Sequence, residues 1–514
     1  MSVLKLGSLG VVLVISSLLL RKIFALKRNS QEPPCVSAPL PIPFVGHVLG
    51  LLWQRTAYYS NLSRNWRKYP IFSINMFGGK VHIVGSSELM SSLQKQPHAI
   101  SFWFMEALFT TLLGGMSQRS SSNLQANLSP GSHDSSLLLE GLKVTQQAMS
   151  PRGGLEAMIR TAADVILAGL DALSYTNNRK NIDLWAWTQH EITIATTEAV
   201  YGPSNPYRDN EVEKGFWNFA DDSIPLLLTS YLPEIVAAKA LAGRAVVVKA
   251  MERYFTTGDY KNGSSLVNAR YHALKGNIDD DDLARFECVN GIAILANSVP
   301  TAFWMIWHVF SDAKVLAEVR RQVATITATD NSKIGELRTI DLSRLNEAPI
   351  LYSAMQEALR LRATGTGPRM VLQDTFLDAG GERYLLKKDS VVIIANEAVH
   401  HDRAAWGDTA DVFKADRFCE KVPGQSFRGF GGGVNLCPGR SFAMLEVAAL
   451  VAMVAARFDM TPTGGGKWDE PNQNMSNMSL QIAPPKKQVR VDLQLRREME
   501  GVNWRFVYRG STTA

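Results

Sequence analysis

The chain lacks the residues that staple small domains together. Its 514 residues hold four cysteines, Cys35, Cys288, Cys419 and Cys437, far apart and with no Cys-x-x-Cys spacing. Neither a disulfide framework nor a zinc site is indicated, and a reducing compartment is the default. A strong charge of one sign is also missing. Fifty-four Lys and Arg against 48 Asp and Glu leave +6, too mild for a dedicated nucleic-acid binder and closer to what an anionic membrane surface or an acidic partner attracts. There is no internal repeat and no period in the glycines or prolines, which excludes collagen-like and solenoid chains. The 46% apolar and 20% charged composition is globular, and no second linker appears after residue 50. One large domain with a substantial core is expected.

The first fifty residues are different. Leu6 to Leu20 carries no charge, and Arg21, Lys22, Lys27 and Arg28 follow. A bilayer helix needs about 17–25 residues, a length reached if Met1–Lys5 and Ile23–Leu26 join while Lys5 and Arg21 snorkel. A cleaved signal peptide is the alternative, but little positive charge precedes the run and no clear small-x-small site follows it. Residues 1–28 are therefore expected to be a single-pass anchor with a basic flank that keeps the body in the cytosol. Pro33, Pro34, Pro39, Pro41 and Pro43 make 29–46 a stiff hinge, and 47–514 is the domain proper.

Within that domain, Ile71–Met76 and Lys80–Val84 around Phe77-Gly78-Gly79 predict a strand hairpin. Ser117–Ser136, rich in Ser, Asn and Gln, reads as a loop. Residues 150–320 read as mainly helical, with Asp279–Asp282 supplying negative charge before a long apolar helix from Leu283 to about Phe310. A helix is expected at Ser353–Leu361, strands at Val371–Phe376, Tyr384–Leu386 and Val391–Ala395, and a last helix at Ser441–Phe458. The class is mainly α with small β-sheets.

The most informative stretch is Phe427-Arg428-Gly429-Phe430-Gly431-Gly432-Gly433-Val434-Asn435-Leu436-Cys437-Pro438-Gly439-Arg440. Glycines let a backbone fold closely around something flat and large. Pro438 suits a first helical turn, which puts Cys437 just before a helix N-terminus, where amides and the helix dipole favour a thiolate. A thiolate is what an axial iron ligand must be. A phosphate loop fails for want of a following Lys-Ser/Thr, and the glycines do not open the helix as a dinucleotide fingerprint would. A purely structural cysteine is the remaining alternative.

Phe430-x-x-Gly433-x-x-x-Cys437-x-Gly439 resembles the haem-binding signature of the cytochrome P450 family. Glu357-Ala358-Leu359-Arg360 matches the ExxR helix, and Phe413–Phe418 resembles the PERF segment, with Ala415 and Asp416 in place of Pro and Glu. Leu283–Phe310 takes the place of the long distal helix. The resemblance spans nearly the whole chain and implies a cytochrome P450 fold behind the anchor. It implies haem b with Cys437 as its iron ligand and Phe430, Gly433, Asn435 and Gly439 as loop residues. Arg369, nine residues after Arg360, is the expected propionate partner, and Glu357, Arg360 and Arg417 the expected buried structural triad. Arg428 and Arg440 could face an acidic reductase, or be solvated or propionate-bound.

The distal helix departs from the family pattern. The usual acid is replaced by Ala296 and the usual threonine by Asn297, and Pro300 should bend the axis. Ala296, Asn297, Ser298 and Thr301 are the candidate catalytic-side residues, with Ala293 beside them. Trp103, Phe104 and Phe109 belong either to a cavity cover or to the core. The run Ala296–Trp304 resembles a branch containing sterol 7α- and 12α-hydroxylases and prostacyclin synthase, and Tyr201–Tyr207 with the cysteine loop looks most like its fungal secondary-metabolism members. The resemblance implies a monooxygenase at the endoplasmic reticulum membrane, its domain in the cytosol, fed NADPH electrons by a separate cytochrome P450 reductase. It would insert one oxygen atom from O2 into a terpenoid, steroid or prenylated indole, with no nucleic acid involved. The alternative is an isomerase or lyase using a preoxidised substrate without NADPH or O2.

Overall fold

Six helices and one five-stranded sheet position the candidate site. The computed structural model describes residues 31–40, 42, 45–76, 79–132, 135–174, 180–221, 233–332, 335–379, 381–422, 424–478 and 480–509. The expected anchor and basic flank, 1–28, lie outside the described residues, as do Pro41, Pro43 and Phe44 of the proline segment.

The described part of that segment is docked. Val36 N–H donates to Ser73 O at 2.9 Å and Ser73 N–H to Pro34 O at 2.8 Å, so within the segment expected to be a stiff hinge the chain around Cys35 lies along a sheet edge. A helix already runs over Val45–Gln54, and its His47 meets Tyr58 Oη at 2.7 Å.

The runs rich in β-branched and aromatic residues become strands β1 (Ile71–Met76) and β2 (Gly79–Val84), an antiparallel pair as expected. Strand β3 (Ile100–Ser101), β4 (Thr366–Val371) and β5 (Val391–Ala395) complete a sheet in the order β1-β2-β5-β4-β3. β5 is parallel to β2, with Val391 opposite Val81, and antiparallel to β4, with Val392 opposite Arg369. The expected strand at Val371–Phe376 does not form. Val371 ends β4, and a separate hairpin pairs Thr375–Ala379 with Glu382–Leu386.

The helices around the site are α1 (Phe102–Gly114), α2 (Leu184–Tyr201), α3 (Asp280–Leu295), α4 (Ser298–Ser311), α5 (Pro349–Leu361) and α6 (Arg440–Arg457). Every residue of α4 from Val299 to Phe310 is buried. A helix apolar on all sides belongs inside a core, and each large side chain there contributes about 1.5–3 kcal/mol of burial. Among the described residues, Asp280–Ser311 is the one helical stretch long and apolar enough to cross a bilayer, but its burial identifies it as a core element.

The expected single distal helix is two. Pro300 has no N–H to give to the Ala296 carbonyl, so the hydrogen-bond ladder fails there. The break falls at Ala296 and Asn297, between α3 and α4.

Ser117–Ser136 is not all loop. Gln118–Gln125 is helical, capped by Ser117 Oγ, which accepts from Ser120 N–H. Ser117 Oγ also donates to Asp279 at 2.7 Å, and Ser117 N–H to Asp282 at 3.0 Å. The aspartates at the N-terminus of α3 thus hold a weak helix former in place, a tertiary contact overriding local preference.

Candidate haem-thiolate site

The glycine-rich loop is a tight hairpin leading into α6. Cys437 N–H donates to Phe430 O at 2.9 Å, Asn435 N–H to Gly432 O at 3.2 Å, and Leu436 N–H to Gly433 O at 3.2 Å. Gly431 (φ +80°) and Gly433 (φ +60°) make the reversal in left-handed conformations. A Cβ on Gly433 would also come within 3.1 Å of Gln94. The helix begins at Arg440 with Gly439 as its N-cap, so Pro438 precedes the first turn expected for it. The amides of Gly439 and Arg440 still favour the Cys437 thiolate, yet burial outweighs them and pushes the free thiol up. Binding of a metal ion to the Cys437 sulfur would reverse that balance, because the ligand form is the thiolate.

α5 holds the loop from behind. Arg360 Nε and Nη2 donate to Glu357 at 2.7 and 2.9 Å, and Arg417 Nε donates to the same carboxylate at 2.9 Å. Lys414 N–H adds a further bond at 3.1 Å. Arg360 Nη1 donates to His400 O and Ala410 O at 2.6 and 2.7 Å. Glu357 and Arg360 are fully buried, and Glu357, Arg360 and Arg417 form one cluster. The link to the cysteine loop is a residue the sequence did not single out. His400 is neutral, its pKa driven down to about 3 by burial and by Arg360. Its Nε2 accepts from Arg428 N–H at 2.7 Å.

One cavity of about 440 Å³ is lined by the loop, α1, α3, the start of α4 and β4. Two buried guanidiniums border it. Among the described residues Arg369 donates only to its neighbour Pro368 O, and burial together with Arg428 pushes it down to about 9. Arg428 is buried as well, and its Nε has no hydrogen-bond partner among the described residues. Two unneutralised cations side by side at low dielectric require an anionic guest. Haem fits: two propionates for two arginines, a sulfur ligand on Cys437, and a loop kept thin by glycines. Arg428 therefore faces inward, not toward a reductase, while Arg440 is exposed and donates to Cys437 O at 3.1 Å. Asn435 also lines the cavity, its Oδ1 buried without a partner among the described residues. Replacing Arg369 by methionine should lower haem retained through gel filtration several-fold while leaving the fold intact, checked by haem-to-protein ratio and circular dichroism.

On the opposite wall, Ala293, Asn297, Ser298 and Thr301 line the cavity. Ala296 does not: it is 1% exposed and packs into the core, because the helix break turns its methyl away. Asn297 Oδ1 accepts from Gln481 N–H at 2.9 Å, which fixes the amide orientation and leaves its NH2 as the group offered to the cavity. Thr301 Oγ1 donates to Asn297 O at 2.6 Å. Of the aromatic trio on α1, Trp103 lines the cavity, joined by Phe102, whereas Phe104 and Phe109 do not.

The comparisons with known proteins agree with this geometry. The family model described as Cytochrome P450 matches residues 217–491. The chain is 33% identical over 498 residues to "Cytochrome P450 monooxygenase nodJ" of Hypoxylon pulicicidum, covering 93% of this chain and 92% of that protein. It is 25% identical to "25-hydroxycholesterol 7-alpha-hydroxylase" of Rattus norvegicus, over 65% of this chain and 82% of the relative. A 158-residue stretch, 30% of this chain, is 32% identical to 13% of a "Bifunctional cytochrome P450/NADPH--P450 reductase" of Gibberella moniliformis. A one-third identity that runs through almost the full length of both chains means that this chain belongs to the cytochrome P450 family and is a monooxygenase of that kind.

Proposed function

We propose that the enzyme is anchored in the endoplasmic reticulum membrane by its N-terminal segment and oxygenates a lipophilic terpenoid, steroid or prenylated indole in a secondary-metabolite pathway. Its electrons come from NADPH through a separate cytochrome P450 reductase. The observation that carries this reading is the meeting of Cys437, two unneutralised arginines and a mostly apolar lining in one cavity. The reductase-fused relative supports the electron source, and the 25-hydroxycholesterol hydroxylase relative supports a lipophilic substrate.

Haem, when bound, supplies the oxygen activation. The protein's share is positioning. The Cys437 sulfur would hold the iron, and Arg369 and Arg428 the propionates. Glu357, Arg360 and Arg417 brace the loop through His400. At the distal wall no carboxylate stands where the family places one. The proton-handling groups are the Asn297 NH2, which can hold a water as donor, and the Ser298 hydroxyl, which can donate and accept. The Thr301 proton is committed to a backbone carbonyl. Apolar side chains such as Phe286, Ile294 and Phe442 keep bulk water out of the rest.

The test is NADPH oxidation by enzyme plus reductase against a panel of sterols, diterpenes and prenylated indoles. Substrate-dependent NADPH consumption with at least one of these classes is expected. Consumption only with hydrophilic substrates, or equal rates without reductase, contradicts the proposal.

A further inference from the structure

Glu106 is the only acidic residue lining the cavity among the described residues. It lies on α1 with Phe102, Trp103 and Thr110, residues spaced three and four apart on the face that turns to the cavity. Opposite stand Phe286, Asn290, Ala293 and Ile294 of α3. Among the described residues Glu106 makes no hydrogen bond and no ion pair. Among the described residues none of the cations around the cavity pairs with Glu106. Arg270 is paired with Glu287, and Arg369 and Arg428 border the loop. Arg244 and Arg285 donate to Leu113 O and Gly114 O at the end of α1. Burial alone pushes the Glu106 carboxyl up. A carboxyl kept unpaired in an enclosed apolar space is costly unless something else completes its hydrogen bonds.

We propose that Glu106 is a specificity-determining residue that accepts a hydrogen bond from the substrate, selecting apolar molecules that carry one hydroxyl or indole N–H at the end lying against α1. The remainder of such a molecule extends over the apolar lining toward Ala293 and Asn297. This deepens the monooxygenase reading above and rests on it. Among the described residues no protein cation takes this role. A substrate donor supplies what the fold omits, and a molecule without one leaves the carboxyl stranded, so discrimination comes from the penalty as much as from the bond.

The experiment uses haem-loaded full-length enzyme and paired probes. These are a 3-hydroxysterol and a diterpene alcohol, each with its methyl ether, and an indole diterpene with its N-methyl derivative. Dissociation constants are read by calorimetry. Wild type should bind the donor form of at least one pair about 10- to 100-fold more tightly than the capped form. Glu106→Leu should erase that preference while the capped form binds within about threefold of wild type, and Glu106→Gln, which keeps an acceptor oxygen, should retain most of it. The pair that responds distinguishes a hydroxyl from an indole N–H. No donor preference in any pair, or an equal loss for both forms, overturns the proposal. So does an unchanged dissociation constant with lost turnover, which would place Glu106 in proton delivery instead. The red-shifted Soret band of the reduced carbon monoxide complex, recorded on the same preparations, reports on the haem-thiolate reading separately. Its presence without donor preference sinks only the role of Glu106.

Discussion

Replacing Glu357 by glutamine is expected to cost about 3–5 kcal/mol and to leave little haem-loaded protein. The carboxylate accepts two bonds from Arg360, one from Arg417 and one from Lys414 N–H. Glutamine keeps one acceptor oxygen and turns an NH2 group toward a guanidinium, so at least one arginine N–H loses its partner and both cations lose their counter-charge. Arg360 cannot escape to water, being fully buried. It also cannot shed its proton, so the whole penalty falls on the fold. The damage spreads along a defined line. Arg360 holds the carbonyl of His400, and His400 holds the amide of Arg428 at the start of the cysteine loop. Arg360→Lys should be nearly as severe, because one ammonium cannot span Glu357, His400 O and Ala410 O together. The check is the urea midpoint alongside the haem-to-protein ratio. Variants with wild-type midpoints would show that the cluster is not holding the loop.

Cys437→Ser should behave in the opposite way, folding well and failing chemically. The Cys437 side chain faces the cavity, and the loop is closed by its backbone N–H to Phe430 O, which serine keeps. What is lost is the sulfur. A serine hydroxyl is a far weaker acid than a thiol and a poor match for the electron-donating role of a thiolate. Product formation should fall to background while the thermal midpoint of the haem-free protein moves by no more than about 1 kcal/mol equivalent. The red-shifted Soret band of the reduced carbon monoxide complex should vanish with it. Turnover retained in the serine variant would remove Cys437 from its assigned place.

The cysteine loop, the Glu357–Arg360 pair and the sheet strands at Ile71, Lys80 and Val391 were legible because each is local. Spacing on one helix, glycines before a cysteine and short β-branched runs are written within a few residues. The break between α3 and α4 was half legible. Pro300 announced a bend, but which methyl it would turn into the core, Ala296 and not Ala293, depends on packing. Three features were out of reach for one reason, that their partners lie far along the chain. Ser117 makes a helix only with aspartates more than 160 residues away. Arg428 lines the cavity beside the distant Arg369, and its amide is held by His400. Glu106 looks like any helical acid until α3 is laid across it, and the signal for it is only its i, i+4 spacing from Phe102. In the proline segment the sequence predicts a stiff hinge, and the strand-edge contact of Pro34 and Val36 with Ser73 leaves no mark on it.

The central claim is that this cavity carries out monooxygenation, and the most direct test is turnover under isotopically labelled oxygen gas. Enzyme and reductase are incubated with a metabolite extract, with and without NADPH, beside the Cys437→Ser variant, and new products are weighed by mass spectrometry. The account predicts a product heavier than its precursor by one labelled oxygen atom, absent without NADPH and absent from the variant. An unlabelled product isomeric with its precursor, formed without NADPH, would contradict it.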